Sequence, residues 1–185
     1  MYFIYIIMNS AYNYKITNRN FPQRVPVYIE VSTNSRCKYE YDDKTGFLTL
    51  DRILHSSVVY PHNYGFIPQT LCEDGDPLDI MVLSSELLKP GTIVWVRPIG
   101  YLDMEDEKGK DEKVLAVLIS DPHYDEVKEL DKVSNHKLKE ISNFFDTYKH
   151  LENNKWVKVG NWYNRQDTLK LIKKCHLNFF NKSKL

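Results

Sequence analysis

What this chain lacks narrows its chemistry first. Its three cysteines, Cys37, Cys72 and Cys175, include no C-x-x-C pair. That argues against a zinc knuckle or a disulfide framework and suits a reducing compartment, so a cytoplasmic location is expected. Net charge is absent too, since 25 Lys and Arg balance 25 Asp and Glu. A broad nucleic-acid-binding surface is therefore not expected, although local basic clusters stay open. No glycine-rich phosphate loop, H-E-x-x-H motif or Ser-His-Asp order is present, which sets P-loop, zincin and serine-hydrolase chemistry aside. Long apolar runs are missing as well. Met1 through Ile7 is apolar, but it is too short for a bilayer and has no basic flank. No later stretch is better suited, so no membrane partner is expected. Met8 offers an alternative start.

What is present is one domain's worth of core. The chain has 185 residues, 42% of them hydrophobic, enough for a single substantial core. Residues 1–24 show no clean period and read as an irregular N-terminal extension, leaving 25–185 as the domain. Val25, Val27, Ile29 and Val31 alternate on one face of a strand, with Glu30 on the other. Lys38 and Glu40 share a side of a second strand. A turn at 42–46 returns the chain through a third, Phe47 to Leu54, which carries Arg52.

The stretch from Tyr60 to Pro68 is aromatic and studded with breakers, and reads as an ordered loop. Tyr60 and Tyr64, taken singly, read as packing residues. Ile80 to Leu83 is a buried strand. Thr92 to Leu102 is β-rich, with a bulge or edge at Pro98. Ser134 and Asn135 cap a helix carrying Leu138, Ile141, Phe145 and Tyr148. A short strand over 155–159 precedes a second helix with Leu169, Ile172, Cys175 and Phe179. Strands early and helices late predict a mainly β (α+β) fold, a twisted sheet or barrel with helices packed on one side.

The densest chemistry lies in Glu73-Asp74-Gly75-Asp76-Pro77-Leu78-Asp79. Gly75 permits a sharp backbone and Pro77 forbids a helix, so Asp74, Asp76 and Asp79 sit in a rigid turn. Like charges this close drive one another toward protonation unless a cation answers them. With no His or Cys interleaved, the oxygens suit Mg²⁺ before Zn²⁺. A solvated acidic turn would use the same residues. A second acidic run, Asp103 through Glu112, reads alone as a charged hairpin tip. Two acidic loops, with isolated cations and tyrosines on other strands, suit a small, highly anionic substrate. Water attack on a phosphoanhydride, assisted by two divalent ions, is the chemistry that needs such a set.

The chain strongly resembles the soluble family I inorganic pyrophosphatases. The matching segments are Val27 to Glu30, Lys38 to Glu40, Gly46 to Arg52, Tyr60 to Gly65, Glu73 to Asp79, Asp106 with Asp111 and Lys113, and Phe144 to Lys149. They cover roughly residues 25–160; from Asn161 onward only helical character matches. The resemblance implies a five-stranded, OB-like barrel with flanking C-terminal helices and Mg²⁺-dependent hydrolysis of pyrophosphate to two phosphates. By position, it implies metal-binding roles for Asp74, Asp79, Asp106, Asp111 and Glu30. It makes Asp76 the base for the attacking water. Lys38, Arg52, Tyr64, Lys113, Tyr148 and Lys149 would hold the phosphoryl groups, with Glu40 and Tyr60 one step behind. A homo-oligomer, a hexamer among compact members, is also implied.

Two rivals are weaker. An OB-like module for single-stranded nucleic acid would want basic charge around its aromatics, and here the aromatics lie among acids. A metal buffer would have no use for Lys38, Arg52, Lys113 and Lys149.

Overall fold

The computed structural model describes residues 10–182; the apolar segment 1–7 and the alternative start at Met8 lie outside them. Among the described residues nine strands and two α-helices follow one another as β1 (Val25–Val31), β2 (Cys37–Asp42), β3 (Phe47–Ile53), β4 (Asn63–Phe66), β5 (Asp79–Leu83), β6 (Ile93–Asp106), β7 (Gly109–Lys110), β8 (Lys113–Leu118), α1 (Asn135–Thr147), β9 (Val157–Asn164) and α2 (Arg165–Lys182). β1 pairs with β4, β4 with β5, β5 with β8, β8 with β6, and β6 again with β1. This closes the five-stranded barrel that the family resemblance implies, where the residue pattern alone left sheet or barrel open, and the two helices come late in the chain. All the pairings are antiparallel except β5 with β8. β2 and β3 form the expected separate hairpin.

Period-2 patterning explains how the strands serve two cores. Val25, Val27 and Ile29 are fully buried. In β5 and β8, Ile80, Val82, Val114 and Ala116 join a cluster that includes Ile172 and Cys175 of α2. The alternate residues, Met81, Leu83, Leu115 and Val117, join a cluster with Ile141, Phe144 and Phe145 of α1. Each helix thus covers apolar side chains from alternate positions of the same strands. Ser134 caps α1 as expected, its Oγ accepting from Lys137 N–H at 3.2 Å.

Four expectations need correction. The ordered loop at 60–68 contains β4, a wall of the barrel between β1 and β5. The strand was hidden because its four residues are flanked by breakers and include Gly65. That glycine is there because β1 runs against it: a Cβ at 65 would stand 1.8 Å from the Tyr28 carbonyl oxygen. β6 continues past Leu102 to Asp106, bulging between Pro98 and Gly100, so the acidic run is partly strand. The short strand at 155–159 begins at Val157 and extends to Asn164. Residues 161–164 are consequently strand, and helical character starts only at Arg165.

Among the described residues of the lead-in, the one helical element is a 3₁₀ turn, Ala11–Asn13. It is nonetheless docked, with Ala11 N–H donating to Tyr41 Oη at 3.0 Å and Gln69 N–H to the Tyr12 carbonyl at 2.8 Å. Among the described residues no helix is long and apolar enough to cross a membrane.

Gly65→Ala should lower stability by about 3 kcal/mol or more, because β1 backbone rather than a flexible side chain must give way. For a chain of this size that corresponds to a drop in Tm of roughly 6–12 °C. Calorimetry checks it, and an unchanged Tm would mean that β1 and β4 are not packed this closely.

Candidate active site

The acidic turn is built by its own hydrogen bonds. Gly75 has φ +92°, the left-handed conformation that the turn needs and glycine adopts without strain. Asp76 N–H donates to Asp74 Oδ1 at 3.0 Å, and Cys72 N–H to the Asp76 carbonyl at 2.8 Å. The turn opens at once into β5, so Asp79 sits at the strand's first residue. β8 lies parallel beside β5, which sets Lys113 and the preceding Asp111 next to Asp79. The Lys113 ammonium contacts both carboxylates, while Tyr64 Oη donates to Asp79 Oδ2 at 2.6 Å.

From the β6–β8 tip, Asp106 accepts from Lys149 Nζ at 2.7 Å and Lys108 N–H at 2.8 Å. The Lys108 side chain meets Asp76 at 3.0 Å. The β2–β3 hairpin supplies Lys38, Glu40 and Arg52. Lys38 contacts Glu40 and lies 3.6 Å from Asp51. Arg52 Nε donates to Glu152 Oε1 at 2.9 Å, and its Nη1 also contacts Asp51. Glu30, buried on β1, accepts from Tyr41 N–H at 2.8 Å. Tyr60, Tyr64 and Tyr148 form an aromatic floor with Phe144 and Phe145 of α1, with ring centroids 4.8–6.2 Å apart.

All the residues singled out from the sequence line one cavity of about 340 Å³: Asp74, Asp76, Asp79, Asp106, Asp111, Glu30, Glu40, Lys38, Arg52, Lys113, Lys149, Tyr60, Tyr64 and Tyr148. Glu40 and Tyr60, expected one step behind the substrate, also reach it. The structure does not gather the carboxylates onto a single point. Among the described residues no three metal-binding side chains form a ready-made cage; Asp76, Asp79, Asp106 and Asp111 each face a lysine instead.

Sequence reasoning passed over Asp51, Glu107, Lys108, Lys155 and Tyr12, which also line the cavity, and Glu152 behind Arg52. Asp51, Glu107 and Lys108 adjoin motif residues and could have been found by that adjacency. Glu152 and Tyr12 carry no local signal.

Charge in the cavity is strongly interdependent. Burial raises Asp74 to about 6, Asp76, Asp111 and Asp79 add to the rise, and the Asp76 N–H partly opposes it. Burial raises Glu30 to about 8 despite the Tyr41 N–H. Burial opposes the Lys113 charge, but Asp79 and Asp111 outweigh it and hold the ammonium well above its ordinary range. Burial likewise opposes the Asp106 carboxylate, and the Lys149 hydrogen bond overcomes it. The cavity is therefore rich in carboxylate oxygens whose charge calls for cations, beside ammonium and guanidinium groups that are paired with carboxylates here and could turn to an anion once metal ions answered those carboxylates. Such oxygens fit a hard divalent ion.

Comparison with known proteins agrees with this geometry. A family profile described as inorganic pyrophosphatase matches residues 27–179, extending beyond the 25–160 covered by the sequence motifs. The inorganic pyrophosphatase of Aquifex pyrophilus is 46% identical over 163 residues, 87% of this chain and 92% of its own. That of Saccharolobus solfataricus is 44% identical over 156 residues, 83% of this chain and 91% of its own. Among solved structures, inorganic pyrophosphatase from Thermus thermophilus superposes with a TM-score of 0.88 at 44% identity, covering 90% of this chain and 97% of the other.

Proposed function

The chain belongs to the inorganic pyrophosphatase family, and on that premise we propose how its own residues carry out the hydrolysis of pyrophosphate to two phosphates. The observation that carries the mechanism is the single cavity in which aspartates from two acidic loops face cations from the hairpin, β8 and the end of α1.

Asp74, Asp79, Asp106 and Asp111, with Glu30 deeper in the wall, are the residues to hold divalent ions, Mg²⁺ in preference, because all five offer only carboxylate oxygen. Bound there, such ions draw charge from the phosphoryl oxygens and make a water more acidic. Asp76 takes the proton of the attacking water. Its side chain is the most open of the aspartates in the acidic turn's ion pairs, 58% exposed, and its hydrogen bond with Lys108 leaves a second oxygen for the proton. Lys38, Arg52, Lys113 and Lys149 neutralise the phosphoryl oxygens, and the Tyr64 and Tyr148 hydroxyls fix their orientation. Arg52 is aimed in advance, since Glu152 and Asp51 hold its guanidinium fork.

Activity should vanish in excess chelator and return with Mg²⁺, while Ca²⁺ substitutes poorly because its looser coordination misplaces the reacting groups. Phosphate release from pyrophosphate measures this, and full turnover in chelator would refute the metal assignment.

Arg52→Lys keeps the charge and loses the planar fork. kcat/KM should fall on the order of ten- to a hundredfold, about 1.4–2.7 kcal/mol of transition-state stabilisation. Unchanged kinetics would make Arg52 a mere surface charge.

Asp76→Asn retains shape but cannot take a proton. Its kcat should fall roughly 10²–10⁴-fold at every Mg²⁺ concentration, the usual worth of a positioned base. Asp79→Asn should instead recover in part as Mg²⁺ rises. The measurement is kcat against Mg²⁺ for both variants, with folding checked by circular dichroism. Restoration of Asp76→Asn at saturating Mg²⁺ would make Asp76 a ligand.

A further inference from the structure

On the far side of the acidic turn two thiols meet outside the cavity. Cys72 Sγ and Cys175 Sγ lie 3.3 Å apart although 103 residues separate them in the chain. A seam of contacts surrounds them. Leu71 N–H donates to the Cys175 carbonyl at 2.9 Å, Asn178 Nδ2 to the Leu71 carbonyl at 3.3 Å, and Lys174 Nζ meets Glu73 Oε1 at 2.7 Å. Residues 71–73 are thus fastened to α2 by backbone and side chains together. Cys72 also closes the acidic turn, since its N–H binds the Asp76 carbonyl at 2.8 Å and its own carbonyl accepts from Gly75 at 3.2 Å.

We propose that Cys72 and Cys175 form an oxidisable pair, joined to a disulfide by a hydroperoxide, and that this closure shifts the turn bearing Asp74 and Asp76 and lowers turnover. An S–S bond is about 2.05 Å long, so from 3.3 Å the sulfurs must approach by more than 1 Å. Cys175 is buried within the 18-residue helix α2, whereas Cys72 lies in a half-exposed loop segment. To the extent that this approach draws on the loop backbone and not on side-chain torsion alone, it carries Asp74 and Asp76, two and four residues on. Misplacement of a reacting group by about 1 Å can cost on the order of a hundredfold in rate.

The chemistry balances. The Cys72 sulfur, its proton lost, attacks one peroxide oxygen; the O–O bond breaks, leaving a sulfenic acid on Cys72 and releasing water (or an alcohol from an organic peroxide). The Cys175 sulfur attacks the sulfenic sulfur, the S–O bond breaks, and a second water leaves. The two thiols give up two electrons and the peroxide accepts them.

The effect on turnover rests on the roles given to Asp74 and Asp76 above; formation of the bond does not. The full chain is incubated with hydrogen peroxide, digested without reductant and mapped by mass, with kcat read before and after dithiothreitol. A 72–175 cross-linked peptide, a fall in kcat of at least tenfold and recovery on reduction are expected. Cys72→Ser and Cys175→Ala should keep their untreated kcat through the same exposure. A missing cross-link, a cross-link with unchanged kcat, or an equal loss in both variants overturns the proposal. Absence of pyrophosphate hydrolysis in the untreated protein would instead refute the catalytic reading, and the mass map would still decide whether the pair closes.

Discussion

Lys113 is only 4% exposed, and its ammonium is shared between Asp79 and Asp111. A charge taken that far from water is tolerated only when it is well paired; removing one partner of such a set costs about 3–5 kcal/mol. The pairing depends on the parallel register of β5 and β8, in which Ile80 faces Val114. A slip of one residue in β8 would turn Lys113 away from Asp79 and exchange the strand's apolar side chains between the two cores. The ion pair and the packing of Ile80, Val82, Val114 and Ala116 therefore specify the same register. The barrel's one parallel contact is also the place where its chemistry is assembled.

Around that point, acids and bases alternate. Lys149 answers Asp106, Lys108 answers Asp76, and Glu152 with Asp51 answers Arg52. Among the described residues Asp74 has no such partner, and burial, with the charges of Asp76, Asp111 and Asp79 adding to it, raises it to about 6. The cavity lining carries nine carboxylates against six cationic side chains, an acidic balance that suits a ligand bringing both charges: divalent cations for the carboxylates and phosphoryl oxygens for the ammonium and guanidinium groups. The aromatic floor of Tyr60, Tyr64 and Tyr148 limits water access from below and lowers the local dielectric, strengthening each of these contacts.

The elements themselves differ in how openly the sequence announced them. β1 was visible because four alternating apolar residues need one buried face, and α1 because Ser134 caps a helical stripe. β4 was not, since its identity as a strand comes from β1 and β5 on either side rather than from its own four residues. The extension of β6 to Asp106 was masked by acidic residues that look like loop. Among the site residues, those in the turn at 73–79 were recognisable from their own close spacing, and those in the hairpin from segments that match the family's motifs.

The sequence by itself determined the chemical make-up of the cavity: carboxylate oxygens in a rigid turn, cations on other strands, and motifs that resemble one hydrolase family. Only the tertiary structure decided which charges face each other. Arg52 meets Glu152 from 100 residues away, Lys149 meets Asp106 across 43, and Cys72 meets Cys175 across 103. Such partners share no local periodicity, because closure of the barrel and docking of its helices bring them together, not the rise of a strand or the turn of a helix.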